Sequence, residues 1–408
     1  MKHNVIILAV CQALMMSGNS LLITATALVG LRIASQPQWA TIPFALMFAG
    51  VIITTYPASM MMQRVGRKAG FTLGAMLGII GGIVSAWSIT QQSFLWFCVG
   101  SILLGSFNAF GQYYRFAAAE AAGDHFRSRA ISYVLAGGVL AAFIGPNLAK
   151  LTRELLPVEF SGSYACIALI YCCSLFLIQG LQLKSPDKKT TKGDSISLLD
   201  VVCKPHFITA VASGMVGYGV MNLLMTATPV TMRVEAFTDN NIARVIQWHV
   251  VGMFAPGFFT GSLIQRYGVV RIIVTGSALL LVSVIVALSG DSFAHFFVAL
   301  FLLGVGWNFA FTGGTVLLTE VHTPSERAKV QGMNDFILFT GLALSSLSAG
   351  MIYFFFGWMW VNLATAPLIL AILVPAIWLR SVRRKYASGP SSSPRSTLYL
   401  MNHAASFL

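Results

Sequence analysis

Apolar residues run along the chain in long blocks separated by short polar loops. Blocks of spanning length fall at about 4–31, 40–62, 70–90, 93–119, 130–149, 162–183, 206–231, 242–264, 270–289, 293–318, 330–354 and 358–380. A helix needs about 20 apolar residues to cross a bilayer. Each block therefore predicts one spanning helix, and the set predicts twelve. Glycine and proline occur inside several blocks, which membrane helices tolerate because neighbouring groups re-satisfy the freed backbone. No alternating pattern of about ten residues recurs, so a β-barrel is not expected.

Composition narrows this further. Of 408 residues, 56% are hydrophobic and 10% charged, against about 25% charged in an ordinary soluble domain. That excludes a soluble enzyme, a disulfide scaffold and a disordered chain. The net charge of +13 would suit nucleic acid in a soluble protein. Here the basic residues cluster between apolar blocks, with no stripe of interleaved exposed aromatics, so a lipid bilayer is the expected partner and nucleic acid is not. With the N-terminus inside, 20 Lys and Arg fall on the cytoplasmic side and five outside (Arg32, Lys150, Arg153, Arg233 and Arg244), while Arg115 lies within a block. This bias predicts that both termini are cytoplasmic. Lys2 precedes a long apolar run with no small-residue cleavage site, so the first helix is expected to be retained. The six cysteines show no metal-ligand spacing and read as small apolar residues.

The longest and most polar loop divides the chain. It predicts a six-helix bundle over 1–183, a cytoplasmic linker over 184–205, a second six-helix bundle over 206–380 and a cytoplasmic tail over 381–408. The halves repeat one another. Leu21-Leu22-Ile23-Thr24-Ala25-Thr26 matches Leu223-Leu224-Met225-Thr226-Ala227-Thr228, and Gln63-Arg64-Val65-Gly66 matches Gln265-Arg266-Tyr267-Gly268, both at an offset of 202. Asn108, Glu120 and Arg127 match Asn308, Glu320 and Arg327 at an offset of 200. The fold class is thus an all-α membrane protein of two parallel pseudo-repeats, a transporter plan. There is no Walker sequence, no strand before the Gly-Arg-Lys loop to make a phosphate cradle, and no Ser/His/Asp set or His/Cys cluster. Neither enzyme activity, cofactor nor metal is expected.

The segment from Ser59 to Lys68 resembles the loop 2–3 signature of the major facilitator superfamily, in which a Gly and an Asp precede a basic residue, a Gly and two further basic residues. Arg64, Gly66, Arg67 and Lys68 fit, while Ser59 and Gln63 replace the first Gly and the Asp; Gly261, Arg266 and Gly268 fit in the second half, with Gln265 again in the acid's place. The resemblance implies a monomeric secondary carrier, in a bacterial inner membrane, that moves a small organic solute by alternating access. Helix 4 lacks the mid-span Arg of many members, near Ser101, and helix 5 keeps Gly137, Gly138, Gly145 and Pro146 of the antiporter motif but has Ala149 and Lys150 where glycines trail it. The runs Tyr114–Glu120 and Leu303–Asn308 are similar to a proteobacterial group with members that take up riboflavin. Proton-coupled drug efflux is the alternative implied by the Gly-Pro remnant, and a non-transporting membrane sensor is a remote one.

The resemblance also supplies roles. Helices 1, 4, 7 and 10 line the cavity in this superfamily. The substrate-binding candidates are therefore Asn19, Thr24 and Thr26; Asn108, Gln112, Tyr113 and Arg115; Tyr218, Asn222 and Thr226; and Trp307, Asn308 and Thr312. Asn108, Gln112 and Arg115 share a helix face. Interhelical hydrogen bonding is the plainer reading of any single Asn or Thr. A mostly neutral set with aromatic rings and amides suits a flat, polar molecule. Arg115 could hold an anionic group, pair with Glu120 or snorkel to the surface. The gate candidates are Arg64, Arg67, Glu120, Arg127, Arg266, Glu320, Arg327 and Asp335. Asp335 lies near the start of helix 11 and is expected to face Arg64 or Arg67 in place of the missing loop acid, or to bind a proton or substrate. His249 is the mid-span histidine, either a proton site or a packing residue.

Overall fold

The computed structural model describes residues 2–36, 39–40, 42–183, 204–323 and 326–387. The expected linker, the end of the tail and Cys203 lie outside them. The described residues form helices α1 (Lys2–Ile33), α2 (Ile42–Val65), α3 (Arg67–Thr90), α4 (Phe94–Gly111), α5 (Tyr114–Ala122), α6 (Arg127–Ala136), α7 (Gly138–Thr152), α8 (Ser161–Gln179), α9 (Pro205–Val234), α10 (Asp239–Phe254), α11 (Gly257–Tyr267), α12 (Val269–Leu288), α13 (Phe293–Leu318) and α14 (Arg327–Ala387). Helix is the local answer to long apolar runs, because it satisfies every backbone group within the segment.

Ten helices among the described residues are long and apolar enough to cross a membrane, where the apolar blocks predict twelve. The difference has two causes. The block at 242–264 is broken at Ala255–Pro256 into α10 and α11, of 16 and 11 residues, because proline supplies no N–H to continue the helix. The blocks at 330–354 and 358–380 meet at Gly357, whose backbone (φ 78°, ψ −176°) is non-helical, so α14 is two helical segments joined at a kink, and across it one span is counted, Ser348–Ser381.

The described residues form two compact units. One comprises residues up to 183 together with Gln331–Phe339; the other comprises 204–330 and the residues from Thr340 onward. The stretch Gln331–Phe339, assigned by sequence to the second half, thus groups with the first.

The repeat carries into the backbone of each unit. Gly66 joins α2 to α3 at φ 95°, ψ 157°, and Gly268 joins α11 to α12 at φ 89°, ψ 147°. This region is essentially open to glycine alone. In the first unit the Gly66 N–H donates to Met62 O and Gly70 N–H to Gly66 O; in the second, Gly268 N–H donates to Ile264 O and Ile272 N–H to Gly268 O. The three positions, 62, 66 and 70 against 264, 268 and 272, correspond at the same offset of 202. The glycine of the loop signature is therefore a backbone requirement: it reverses the chain between two helices within one residue.

Candidate functional site

Polar chemistry in the first unit gathers where α4 gives way to α5. Gln112 N–H keeps the ordinary helical bond to Asn108 O, the backbone tightens at Tyr113, whose N–H donates to Phe110 O three residues back, and Arg115 follows in the first turn of α5. Arg115 is 2% exposed and Asp335 is 0% exposed. The Arg115 Nη2 donates to Asp335 Oδ1 at 2.5 Å, and Nη1 donates to Gln112 Oε1 at 3.1 Å. Asn334 Nδ2 donates to the same Oδ1 at 2.7 Å. The Phe116 ring lies 4.7 Å from the guanidinium carbon. Asp335 Oδ2 is buried with no hydrogen-bond partner. Such a pair persists because removing either partner would strand the other charge in a medium of low dielectric.

A second charge sits beside it. Arg67, the first residue of α3, donates through Nη2 to Glu120 Oε1 at 2.7 Å and to Gln331 Oε1 at 2.6 Å. It also lies over the Tyr113 ring at 5.4 Å, and the Tyr113 hydroxyl donates to Thr55 O at 2.8 Å. This corrects the expected partner of Asp335. It meets Arg115, while Arg67 is occupied by Glu120 and Gln331. The reason is helical spacing: Gln331 and Asp335 are one turn apart on one face, about 6 Å along the axis. When Gln331 reaches Arg67, Asp335 is carried past it to Arg115. Glu120, a possible partner of Arg115, belongs to Arg67. Close packing seats this face, since a Cβ on Gly332 would lie 3.0 Å from Tyr56 Cδ2 and 3.2 Å from Ser59 Cβ.

The remaining gate candidates lie at helix ends. Arg64 and Glu320 are exposed and Arg327 is half-buried. Arg127 pairs with Asp124 in the preceding turn. Arg266 lies over the Tyr267 ring at 5.3 Å.

Aromatic packing dominates the second unit. Trp307 stacks on Phe311, one turn along α13, at 4.9 Å and 11° between planes. Tyr218 on α9 meets both edge-on, at 5.0 Å and 5.2 Å, and Phe254 meets Trp307 at 5.6 Å. Asn222, one turn beyond Tyr218, donates to Ser345 Oγ at 3.1 Å.

The matched asparagines do different work. Asn108 accepts from Asn19 Nδ2 at 2.7 Å and donates to Leu104 O. Asn308 accepts from Thr260 Oγ1 at 2.7 Å and donates to Met253 O at 2.6 Å. Met253 stands at the end of α10, beside the Pro256 break, so Asn308 caps a broken helix. Both ends of its amide are engaged there. His249 is buried with Nδ1 2.7 Å from Leu300 O, fastening α10 to α13 as a packing residue does. Thr26 contacts the Tyr164 hydroxyl and Leu22 O, Thr312 is buried and Thr226 is exposed. The Thr24 side chain lies outside the described residues.

A family model described as the Major Facilitator Superfamily matches residues 8–255 and 243–406. The chain belongs to this superfamily. It is 39% identical over 380 residues to the riboflavin transporter RfnT of Brucella anthropi, covering 92% of this chain and 95% of that protein. It is 29% identical over 385 residues to the uncharacterized MFS-type transporter YddS of Bacillus subtilis, covering 89% and 88%. Among solved structures, the E. coli fucose:proton symporter FucP aligns with TM-score 0.75 at 16% identity over 92% of this chain and 98% of that one. The human organic anion transporter MFSD10 aligns with TM-score 0.73 at 14% identity over 92% and 99%. These structural likenesses bear on the fold alone.

The chain is thus a multi-pass membrane transporter, as its loop signature implied. Several residues of this superfamily member were not singled out from sequence. Gln331 and Asn334 flank the expected Asp335 on the same helix, and Phe311 follows Trp307 by one turn. Helical spacing from the named residues was the signal available for Gln331 and Phe311. Phe254 had none, since it approaches Trp307 only through the bend at Pro256.

Proposed function

We propose that this chain imports riboflavin, or a similarly flat and polar vitamin, across a bacterial inner membrane. The observation that carries the reading is the 39% identity to a riboflavin transporter over 92% of the chain. In this reading it is a monomer of twelve spanning helices in two bundles, 1–183 and 206–380, with the 184–205 linker, the 381–408 tail and both termini cytoplasmic.

Alternating access needs contacts that form in one state and break in another. The Arg115–Asp335 and Arg67–Glu120 pairs, with the Arg67–Gln331 bond, serve as those contacts on the cytoplasmic side. Arg64, Arg127, Arg266, Glu320 and Arg327 complete the charged helix ends there. When the gate opens, Arg115 and Asp335 exchange each other for water. Asp335 and His249 are the candidates for proton coupling, each with one polar atom engaged and one, Asp335 Oδ2 and His249 Nε2, buried without a partner; Asp335 is favoured because it belongs to the charged pair with Arg115. Asn19, Asn108, Gln112, Tyr113, Tyr218, Asn222 and Trp307 supply the amides and rings for the substrate.

The test is expression in a riboflavin-auxotrophic bacterium at limiting vitamin, together with uptake of labelled riboflavin. Growth and saturable uptake are expected. Absence of both, with resistance to toxic cations on expression, would replace this reading with drug efflux.

A further inference from the structure

The aromatic cluster of the second unit has a feature that packing alone does not account for. Trp307 is 1% exposed, and its indole Nε1–H has no hydrogen-bond acceptor. An indole N–H is a donor only, and a buried donor left unmade is destabilising. Buried Asn308, one position along, has both ends of its amide engaged by Thr260 and Met253, whereas Trp307 Nε1 is among the buried polar atoms of this unit that lack a partner, with Thr209 Oγ1, His249 Nε2, Thr312 Oγ1 and Asn362 Oδ1. Around Trp307 the neighbours are instead rings: Phe311 stacked at 4.9 Å, Tyr218 at 5.0 Å and Phe254 at 5.6 Å. Trp307, Phe311 and Phe254 are buried, and Tyr218 is the half-buried member of the cluster. Asn222 continues the Tyr218 face of α9 by one turn.

From the unmet donor at the centre of this aromatic wall we infer that Tyr218, Trp307, Phe311 and Phe254 form the subsite that recognises the ring system of the substrate. The inference rests on the uptake reading above and names its specificity. The ligand class is a planar heteroaromatic with a hydrogen-bond acceptor, a carbonyl oxygen or ring nitrogen, on its edge. Such a ring enters at Tyr218, stacks on the aromatic wall and presents its acceptor to Trp307 Nε1–H. A benzenoid ring of the same area would stack but leave the donor unmet. Trp307 is then a specificity residue, because a site built to donate one hydrogen bond rejects ligands that cannot accept it.

Titration of the purified full-length protein in nanodiscs, read by flavin fluorescence, tests this. Two probes separate ring from side chain: riboflavin, and lumiflavin, which keeps the ring and lacks the ribityl chain. Trp307→Phe preserves most of the aromatic area and removes only the N–H. It is expected to weaken both probes by a similar factor, roughly tenfold for one hydrogen bond. Should Trp307→Phe fail to give monodisperse protein, Tyr218→Leu, at the half-buried position, is expected to weaken both probes likewise. Wild-type binding with unchanged affinity in the variant would overturn the subsite and leave the uptake reading intact. A wild-type protein that binds neither probe would overturn the uptake reading itself. Loss for riboflavin alone, with lumiflavin unaffected, would assign the cluster to the ribityl chain and sink the ring assignment.

Discussion

Arg115 and Asp335 stand 220 positions apart in the chain, yet the guanidinium Nη2 and the carboxylate Oδ1 meet at 2.5 Å. Both side chains are buried, so neither charge can be removed without exposing the cost of the other. Arg115→Leu and Asp335→Leu are each expected to lower the unfolding free energy by about 3–5 kcal/mol. The double variant, with two apolar side chains, is expected to recover most of that loss, since a well-packed apolar pair replaces a buried ion pair at little cost. Thermal unfolding in detergent reads this directly. Uptake is expected to stay abolished in the stable double variant; normal uptake there would reduce the pair to a structural one.

Gly66 and Gly268 hold the same left-handed backbone in the two units. A Cβ at Gly268 meets nothing within 4 Å, so Gly268→Ala isolates backbone strain from crowding, and Gly66→Ala makes the matching change in the first unit. Each is expected to destabilise by about 1–3 kcal/mol, and to a similar extent. A neutral Gly66→Ala in thermal unfolding would contradict the backbone explanation of the loop signature.

These glycines also mark what the sequence made legible. Repetition at one offset identified them before any coordinates, because a backbone constraint keeps its residue wherever the geometry recurs. The matched Asn108 and Asn308 share no such geometry, since their hydrogen-bond partners differ. An asparagine can satisfy many geometries, and the Pro256 break recruited Asn308 to cap α10, a demand that the first unit does not make. The partner of Asp335 was missed for a related reason. Spacing along α14 fixes which residues share its face, but not how far that face slides along α5, and a shift of one turn decides between Arg67 and Arg115. The apolar blocks and the helices differ where Pro256 divides one block and where Gly357 makes a non-helical kink between two others.

The two asparagines should therefore respond differently to truncation. Asn308→Ala leaves Met253 O and Thr260 Oγ1 without their side-chain partner in a buried setting, and is expected to cost about 1–3 kcal/mol of stability. Riboflavin affinity in the protein that survives is expected to be unchanged. Asn108→Ala removes the bonds to the half-buried Asn19 amide and to Leu104 O, a carbonyl within its own helix, so a smaller effect on unfolding and a larger rise in KM for uptake are expected. The reverse pattern would return Asn308 to the binding residues.

At Gly332 the Gln331–Phe339 stretch packs closely against α2. A Cβ there would lie 3.0 Å from Tyr56 and 3.2 Å from Ser59, and a branched side chain could be placed only by moving the stretch away. Because Gln331, Asn334 and Asp335 lie on that stretch, displacement would loosen their bonds to Arg67 and Arg115 together. Gly332→Val is thus expected to raise amide hydrogen exchange several-fold in 331–339 and in the facing part of α2, residues 55–62. Gly350→Val, on the same helix where an added Cβ meets nothing within 4 Å, serves as the control and should leave exchange at both places unchanged. Equal protection in the two variants would mean that the stretch tolerates the larger residue in place, and that the close approach at Gly332 does not hold the charged cluster together.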